Sequence, residues 1–228
     1  LLWRELSRLD AGGWHSAKYA GEPLPTLASI ARWARAHGVA CNIEIKPTPG
    51  RERETGAAVA LDAATLWRDA EVPPLLSSFS EDALDAARDA VAALPRALLL
   101  DALPADWLGR LARLECVALV ANHEALTADA VTTARALGHR VLCYTPNEAA
   151  RIGELAGWNV DGIITDAVDH IVADSLPPAP WAYRQLDDPA LEAKAQDLME
   201  TLRCLKCQSQ SIADSDAPMA GDMRSQVR

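Results

Sequence analysis

The feature that most narrows the fold is a recurrence of short apolar runs, at Ala40–Lys46, Leu75–Phe79, Ala97–Asp101, Val117–Ala121, Arg140–Tyr144 and Asp161–Thr165, starting 20 to 35 residues apart. Each run is continuously apolar rather than alternating, as in a strand buried on both faces. Stretches of helical period separate them: Leu27, Ile30, Ala31 and Ala34 share a face, as do Leu84, Ala87, Val91 and Leu94. Thr26, Ser80 and Thr127 stand where helices start, and Gly138 and Gly157 where helix C-caps are expected. The alternation predicts an α/β fold of parallel strands covered by helices. Six such units without a dinucleotide-type glycine loop favour a (β/α)8 or TIM barrel over a doubly wound sheet. Such a barrel takes about 250 residues. The pattern here spans some 170, after a loop-like stretch from Asp10 to Pro25. The expectation is therefore an incomplete TIM barrel lacking its first strands, with two unpaired edges prone to association.

A stiff connector, Leu176-Pro177-Pro178-Ala179-Pro180, cannot continue helix or sheet and marks a boundary. The reading is a barrel fragment over residues 1–175, a Pro-rich linker over 176–186 and a short α-helical module over 187–228. In that module Asp188-Pro189 reads as N-cap and first helical residue, and Leu191, Ala195, Leu198 and Leu202 mark one face. A second helix start, Asp216-Ala217-Pro218, leads to the last residue, so this module also reads as truncated.

The chain carries 22 basic and 32 acidic residues, net charge −10, which argues against nucleic-acid binding because phosphate neutralisation needs clustered Lys and Arg. It contains no apolar run of membrane-spanning length. Its opening, Leu1-Leu2-Trp3-Arg4-Glu5, has neither an initiator Met nor a secretory leader pattern. The expectation is a soluble, cytoplasmic polypeptide that does not begin where its gene begins. Cys41, Cys116 and Cys143 lie in apolar runs and read as small buried hydrophobes.

In Cys41-Asn42-Ile43-Glu44-Ile45-Lys46-Pro47, strand alternation puts Asn42, Glu44 and Lys46 on one face and Ile43 and Ile45 on the other. The helix-facing side of a barrel strand is apolar, so Glu44 and Lys46 are expected to point inward at the strand's C-terminal end, where active sites of this fold lie. A carboxylate there suits a hard divalent cation, and an ammonium suits a phosphate. A structural Glu–Lys pair is the equal alternative, because buried charges need partners whether or not chemistry happens. Ser77, Ser78, Asp101, Asn122, His123, Tyr144, Asn147 and Asp166 end the other strands. Together they favour a polar, phosphate-type pocket, although caps and turns explain several, Asn147 especially.

Leu9-Asp10-Ala11-Gly12, Gly21 to Leu27, Asn42 to Pro47, Pro74 to Phe79, Tyr144 to Asn147 and Asp161 to Asp166 resemble, in order, motifs of the glycerophosphodiester phosphodiesterases, closest to the cytoplasmic UgpQ type. The resemblance implies a TIM barrel that hydrolyses glycerophosphodiesters to sn-glycerol 3-phosphate and an alcohol, using Ca2+ or Mg2+ and two histidines as general acid and base. It makes Glu44 the match to the third carboxylate metal ligand, Lys46 the match to the phosphate-contacting lysine, and Asn147 the match to the Asn of a Thr-Val-Asn ending in which Pro146 replaces Val. The family's remaining groups lie in His-Arg-Gly, Glu-x-Asp and His-Asp motifs. None of these occurs in the 228 residues, and His15, His37, His123, His139 and His170 match none of them. No complete catalytic set is therefore expected, nor significant hydrolysis by this polypeptide alone.

The second module pairs Cys204 and Cys207 two residues apart. Two such thiols can close a small disulfide, and Arg203 and Lys206 favour the thiolate. Zinc is the runner-up but would need two further ligands. A thioredoxin fold is disfavoured because the pair follows all the βα units. Asp188 to Glu192, Leu202 to Gln208, Ser211 to Ser215, Ala217-Pro218 and Asp222 to Arg224 resemble the start of the mature CcmH-type cytochrome c biogenesis proteins. That resemblance implies a periplasmic, membrane-anchored thiol–disulfide couple acting on apocytochrome c. Three readings follow: a glycerophosphodiesterase, a redox module with a passenger barrel, or a chain joining parts of two unrelated genes.

Overall fold

The computed structural model describes residues 2–168, 185–186, 188–201, 213 and 224. The elements run α1 (Trp3–Leu6), a 3-10 turn (Ala17–Tyr19), α2 (Leu27–Ala36), β1 (Asn42–Glu44), α3 (Glu52–Leu66), β2 (Leu75–Ser78), α4 (Glu81–Ala90) and β3 (Arg96–Leu100). They continue α5 (Trp107–Arg113), β4 (Ala118–Asn122), α6 (Ala128–Ala136), β5 (Arg140–Tyr144), α7 (Ala149–Gly157), β6 (Gly162–Ile164) and α8 (Pro189–Thr201). The strands form one sheet in sequence order, β1-β2-β3-β4-β5-β6. The strands are parallel, with Glu44 beside Ser77, Ser78 beside Leu98 and Tyr144 beside Ile164. This is the strand–helix alternation of a TIM barrel, followed by a helical C-terminal region.

The chain divides into two compact units, residues 1–99 with 106–118, and 100–105 with 119–228. In the first, Ala31 from α2, Ile45 after β1, Ala60, Ala63 and Trp67 of the α3 region, Leu76 from β2, and Ala83 and Ala87 from α4 make one buried cluster. Alanine dominates it because the helices lie close to the strands and to each other. In the second, Leu119, Val120 and Ala121 of β4, Val141 and Cys143 of β5, Val131 and Ala134 of α6, and Ile152 and Leu155 of α7 are buried.

Thr26, Ser80 and Thr127 cap their helices, each side-chain oxygen accepting the N–H three residues on, from Ser29, Ala83 and Ala130. Gly138 takes the left-handed conformation after α6, at φ 85°. Gly157 does not do so after α7. It is the last helical residue, and Asn159, at φ 66°, takes that conformation instead. Helix α4 also ends at Ala90, so Val91 and Leu94 join the shared face from outside the helix. In α8, Asp188 accepts the Ala190 N–H at 2.8 Å as expected of an N-cap. Of the expected face Ala195 is buried, with Met199 one turn on, while Leu191 and Leu198 are half exposed, so the buried side lies away from those two leucines. Leu202, Asp216 to Pro218, Cys204, Cys207 and His170, like nearly all of the connector, lie outside the described residues.

Cys116 and Cys143 are buried as expected, and burial pushes their thiols up to about 12 and about 11. Cys41 is only half buried. Among the described residues no helix is long and apolar enough to cross a membrane.

Asp161 ties the second unit together. It pairs with Arg135 and Arg140 at 2.7 Å each and accepts the Val141 N–H at 2.8 Å. Burial alone would raise its pKa, but the Arg140 hydrogen bond, the Val141 N–H and Arg135 outweigh that, holding the carboxyl below its ordinary range. A depressed carboxyl stabilises the fold above its unfolded pKa, near 3.9, and loses that contribution as pH falls through the folded value. Asp161→Asn is expected to cost about 1 to 2 kcal/mol at pH 7 in urea titrations, the two arginines being partly solvated. The difference should shrink below about pH 4. Equal midpoints at pH 7 would contradict this.

Candidate active site

The site is best followed from β1, where Asn42, Glu44 and Lys46 are exposed, Ile43 is half buried and Ile45 is buried in the core. The alternation expected from sequence is thus present, with the polar side chains on the face opposite the helices. Two hydrogen bonds from the neighbouring strand hold this segment: the Ile45 N–H donates to the Ser77 carbonyl at 2.7 Å, and the Ser78 hydroxyl donates to the Ile45 carbonyl at 2.7 Å. The same hydroxyl accepts the Ser80 N–H at 3.0 Å. Ser77 and Ser78 are wholly buried, which corrects their expected place in a polar pocket. Ser78 instead positions the backbone between Glu44 and Lys46. Among the described residues the Ser77 hydroxyl has no hydrogen-bond partner.

Ahead of β1, Asp10 organises a loop. Its carboxylate accepts N–H groups from Gly21 at 3.0 Å, Gly13 at 2.8 Å and Gly12 at 2.9 Å, and these bonds, Gly21's first, hold its pKa below the ordinary range. A Cβ on Gly12 would lie 2.0 Å from the Tyr19 carbonyl oxygen, so only glycine lets the loop fold back on itself there. The Leu9-Asp10-Ala11-Gly12 motif therefore has a structural reason independent of chemistry.

In the second unit, Asn122 at the end of β4 donates to Asp101 at 3.0 Å, and its carbonyl accepts the Glu124 N–H at 2.9 Å. The Tyr144 hydroxyl donates to the Leu100 carbonyl at 3.1 Å. His123 is held by Arg151, whose Nε donates to its Nδ1 at 3.3 Å and whose Nη2 donates to its carbonyl. The Arg151 guanidinium lies 4.7 Å from the Trp158 ring centre. Asn147 accepts at Oδ1 from the Thr165 hydroxyl at 2.9 Å and from the Asp166 N–H at 3.0 Å, locking the β5–α7 loop to the end of β6. That is a turn-stabilising role for one half of its side chain. The Arg151–His123 pairing had no signal in sequence, because the two residues lie on different βα units.

Ca2+ takes six to eight oxygen ligands, carboxylates prominent among them, and Mg2+ takes six, several of them water. Among the described residues no group of three His, Cys, Asp or Glu side chains could hold a metal ion. Glu44 alone does not make a multi-carboxylate site, so the described residues do not by themselves fit Ca2+.

Parallel strands alternating with helices define an α/β barrel-type protein, here with a carboxylate and an ammonium exposed at and just beyond the C-terminal end of β1. Residues 1–170 match the Glycerophosphoryl diester phosphodiesterase family, and the chain belongs to that family. The family is metal-dependent. Residues 171–228 match the Cytochrome C biogenesis protein family CcmH, so segments of two families stand in tandem. The chain is 26% identical over 179 residues to the glycerophosphodiester phosphodiesterase relative YhdW of Bacillus subtilis, covering 75% of this chain and 70% of YhdW. It is 58% identical over 43 residues to the cytochrome c-type biogenesis protein CcmH of Bradyrhizobium diazoefficiens, and spans 27% of that protein's length. A phosphodiesterase from Oleispira antarctica, solved with the product sn-glycerol-3-phosphate, superposes with TM-score 0.69 at 29% identity over 75% of this chain and 68% of that one. A glycerophosphodiester phosphodiesterase from Agrobacterium tumefaciens shares the fold at TM-score 0.59, 21% identity, over 75% of this chain and 71% of that one.

Proposed function

We propose that the strand-bearing part of this chain is the product-side portion of a glycerophosphodiester phosphodiesterase, recognising the glycerol phosphate half of its substrate, and that the 228-residue polypeptide alone turns over little of it. The observation that carries the reading is the exposed Glu44 and Lys46 pair on the polar face of β1, in a chain whose residues 1–170 match the family. Lys46 supplies a mobile point charge for a phosphate oxygen. Glu44 would be one anionic donor of an oxygen-ligand set that the described residues do not complete. Asn147 already uses Oδ1 within its loop, so a substrate contact would fall to its amide Nδ2. Titrating sn-glycerol 3-phosphate into the protein is expected to give saturable binding that Lys46→Ala weakens about tenfold, the scale of one charge-assisted hydrogen bond. Equal binding by both proteins, or none by either, would remove the reading.

A second reading rests on a separate observation, the CcmH match and the 58% identity across 43 residues. Cys204 and Cys207 would then form a thiol–disulfide couple acting on the cysteines of apocytochrome c. Thiol titration after mild oxidation is expected to show two thiols fewer than the reduced protein, and Cys207→Ser should abolish that loss. An unchanged thiol count would eliminate the redox role.

A further inference from the structure

On the face of the sheet turned away from the helices, β1 and β2 bring together two side chains that each lack what the other supplies. In the parallel register Glu44 stands beside Ser77, and Ile43 beside Leu76. Register partners project to the same side of a sheet. Ile43 and Leu76 pack in the helix-facing core, so Glu44 and Ser77 share the opposite side. Neighbouring strands lie about 4.8 Å apart, which puts a serine hydroxyl within reach of a glutamate carboxylate turned toward it. On its other side Ser77 is beside Ala97, whose side chain has no polar atom. Ser77 is 0% exposed, and among the described residues its hydroxyl has no hydrogen-bond partner. Glu44 is exposed, and among the described residues its carboxylate has no donor. Ser78, one residue on and on the helix-facing side, differs sharply, because its hydroxyl both donates to the Ile45 carbonyl and accepts the Ser80 N–H. An unmet hydrogen bond in a wholly buried hydroxyl costs folding free energy, and one kept in a native fold calls for a reason.

We propose that Ser77 is a positioning residue of the glycerol phosphate site and acts through Glu44. When the ligand binds, the Glu44 side chain turns toward β2. One carboxylate oxygen then accepts the Ser77 hydroxyl and the other accepts a hydroxyl of the glycerol moiety. Lys46, two residues farther along the same face and roughly 7 Å away along the strand, takes the phosphate. In the free protein the carboxylate stays in water, because turning it onto a buried hydroxyl strips solvent from a charge in return for a single hydrogen bond. The glycerol hydroxyl supplies the second bond, so binding completes what Ser77 lacks. The ligand is that of the reading proposed above, on which this assignment rests.

Thermal melting of the ligand-free 228-residue protein and calorimetric titration with sn-glycerol 3-phosphate test the assignment together. Ser77→Ala is expected to raise the melting temperature by about 2 to 4 °C, since it deletes an unsatisfied buried hydroxyl. The same variant should bind sn-glycerol 3-phosphate about tenfold more weakly. A serine with a structural role alone gives the reverse pattern, a lower melting temperature with affinity unchanged. Ser78→Ala, which removes a satisfied hydroxyl, should melt lower than the wild type. In a Glu44→Ala background, Ser77→Ala should bring no further loss of affinity, because the hydroxyl acts only through that carboxylate. A Ser77→Ala protein that melts no higher than the wild type would overturn the role of Ser77. So would one that keeps full affinity while Lys46→Ala loses it, or one whose loss persists undiminished beside Glu44→Ala. Those results leave the substrate reading standing, whereas no binding by the wild-type protein would remove that reading and the role of Ser77 with it.

Discussion

Replacing Gly56 with alanine is expected to cost at least about 3 kcal/mol, lowering the melting temperature by roughly 6 to 12 °C in a chain of this size. Gly56 lies in the first half of α3, and a Cβ built there would stand 2.1 Å from the Ala83 carbonyl oxygen and 2.8 Å from its carbonyl carbon. Both are backbone atoms of the first turn of α4, and the Ala83 N–H is held by the Ser80 cap at 3.2 Å. The helix cannot yield without loosening that cap or parting α3 from α4 along the alanine-lined contact that includes Ala60, Ala63 and Ala87. Helix propensity alone predicts the opposite sign, a gain of about 1 kcal/mol for alanine over glycine. Gly109 in α5 provides the control, because nothing lies within 4 Å of the place a methyl group would take there, and alanine should be neutral or slightly stabilising. Similar melting temperatures for Gly56→Ala and Gly109→Ala would refute the close-approach account.

The second large effect concerns turnover. With glycerophosphocholine and either Ca2+ or Mg2+, the 228-residue polypeptide is expected to release sn-glycerol 3-phosphate at no more than about one ten-thousandth of an ordinary enzymatic rate. One positioned acid or base contributes roughly 10²- to 10⁴-fold, and the resemblance assigns this reaction two, neither of which has a counterpart here. Three of the four described histidines are engaged otherwise. His15 sits edge-on between the Trp14 and Tyr19 rings at 5.8 and 5.3 Å, His37 stacks on Trp33, and His123 is bound by Arg151. Turnover in the usual enzymatic range of about 1 to 10³ per second would sink this expectation and show that other residues of the chain supply the proton transfers.

Much of the fold was legible from the residues. All six strands fall within two residues of the apolar runs at their starts, and three helix starts were readable from Thr26, Ser80 and Thr127, because hydrophobic period and capping are local properties. The polar face of β1 was legible for the same reason, since strand alternation assigns Glu44 and Lys46 together. The fate of Ser77 and Ser78 was not. Their strand position suggested a pocket, but parallel neighbours on both sides bury them, and Ser78 spends its hydroxyl on the Ile45 carbonyl.

Residue type and spacing along single segments were enough for the alternation of parallel strands and helices, the two tandem families and the lone carboxylate and ammonium on β1, because each is a local pattern. Packing between segments decided the rest. Gly56 is indispensable only because α4 presses on α3, α8 buries Ala195 and Met199 rather than its leucines, and Asn147 is a lock between two loops as well as a candidate contact. Glu44 lies on a strand that pairs, among the described residues, with β2 alone. These are properties of distance between segments remote in sequence, set by packing and backbone pairing that no local pattern encodes.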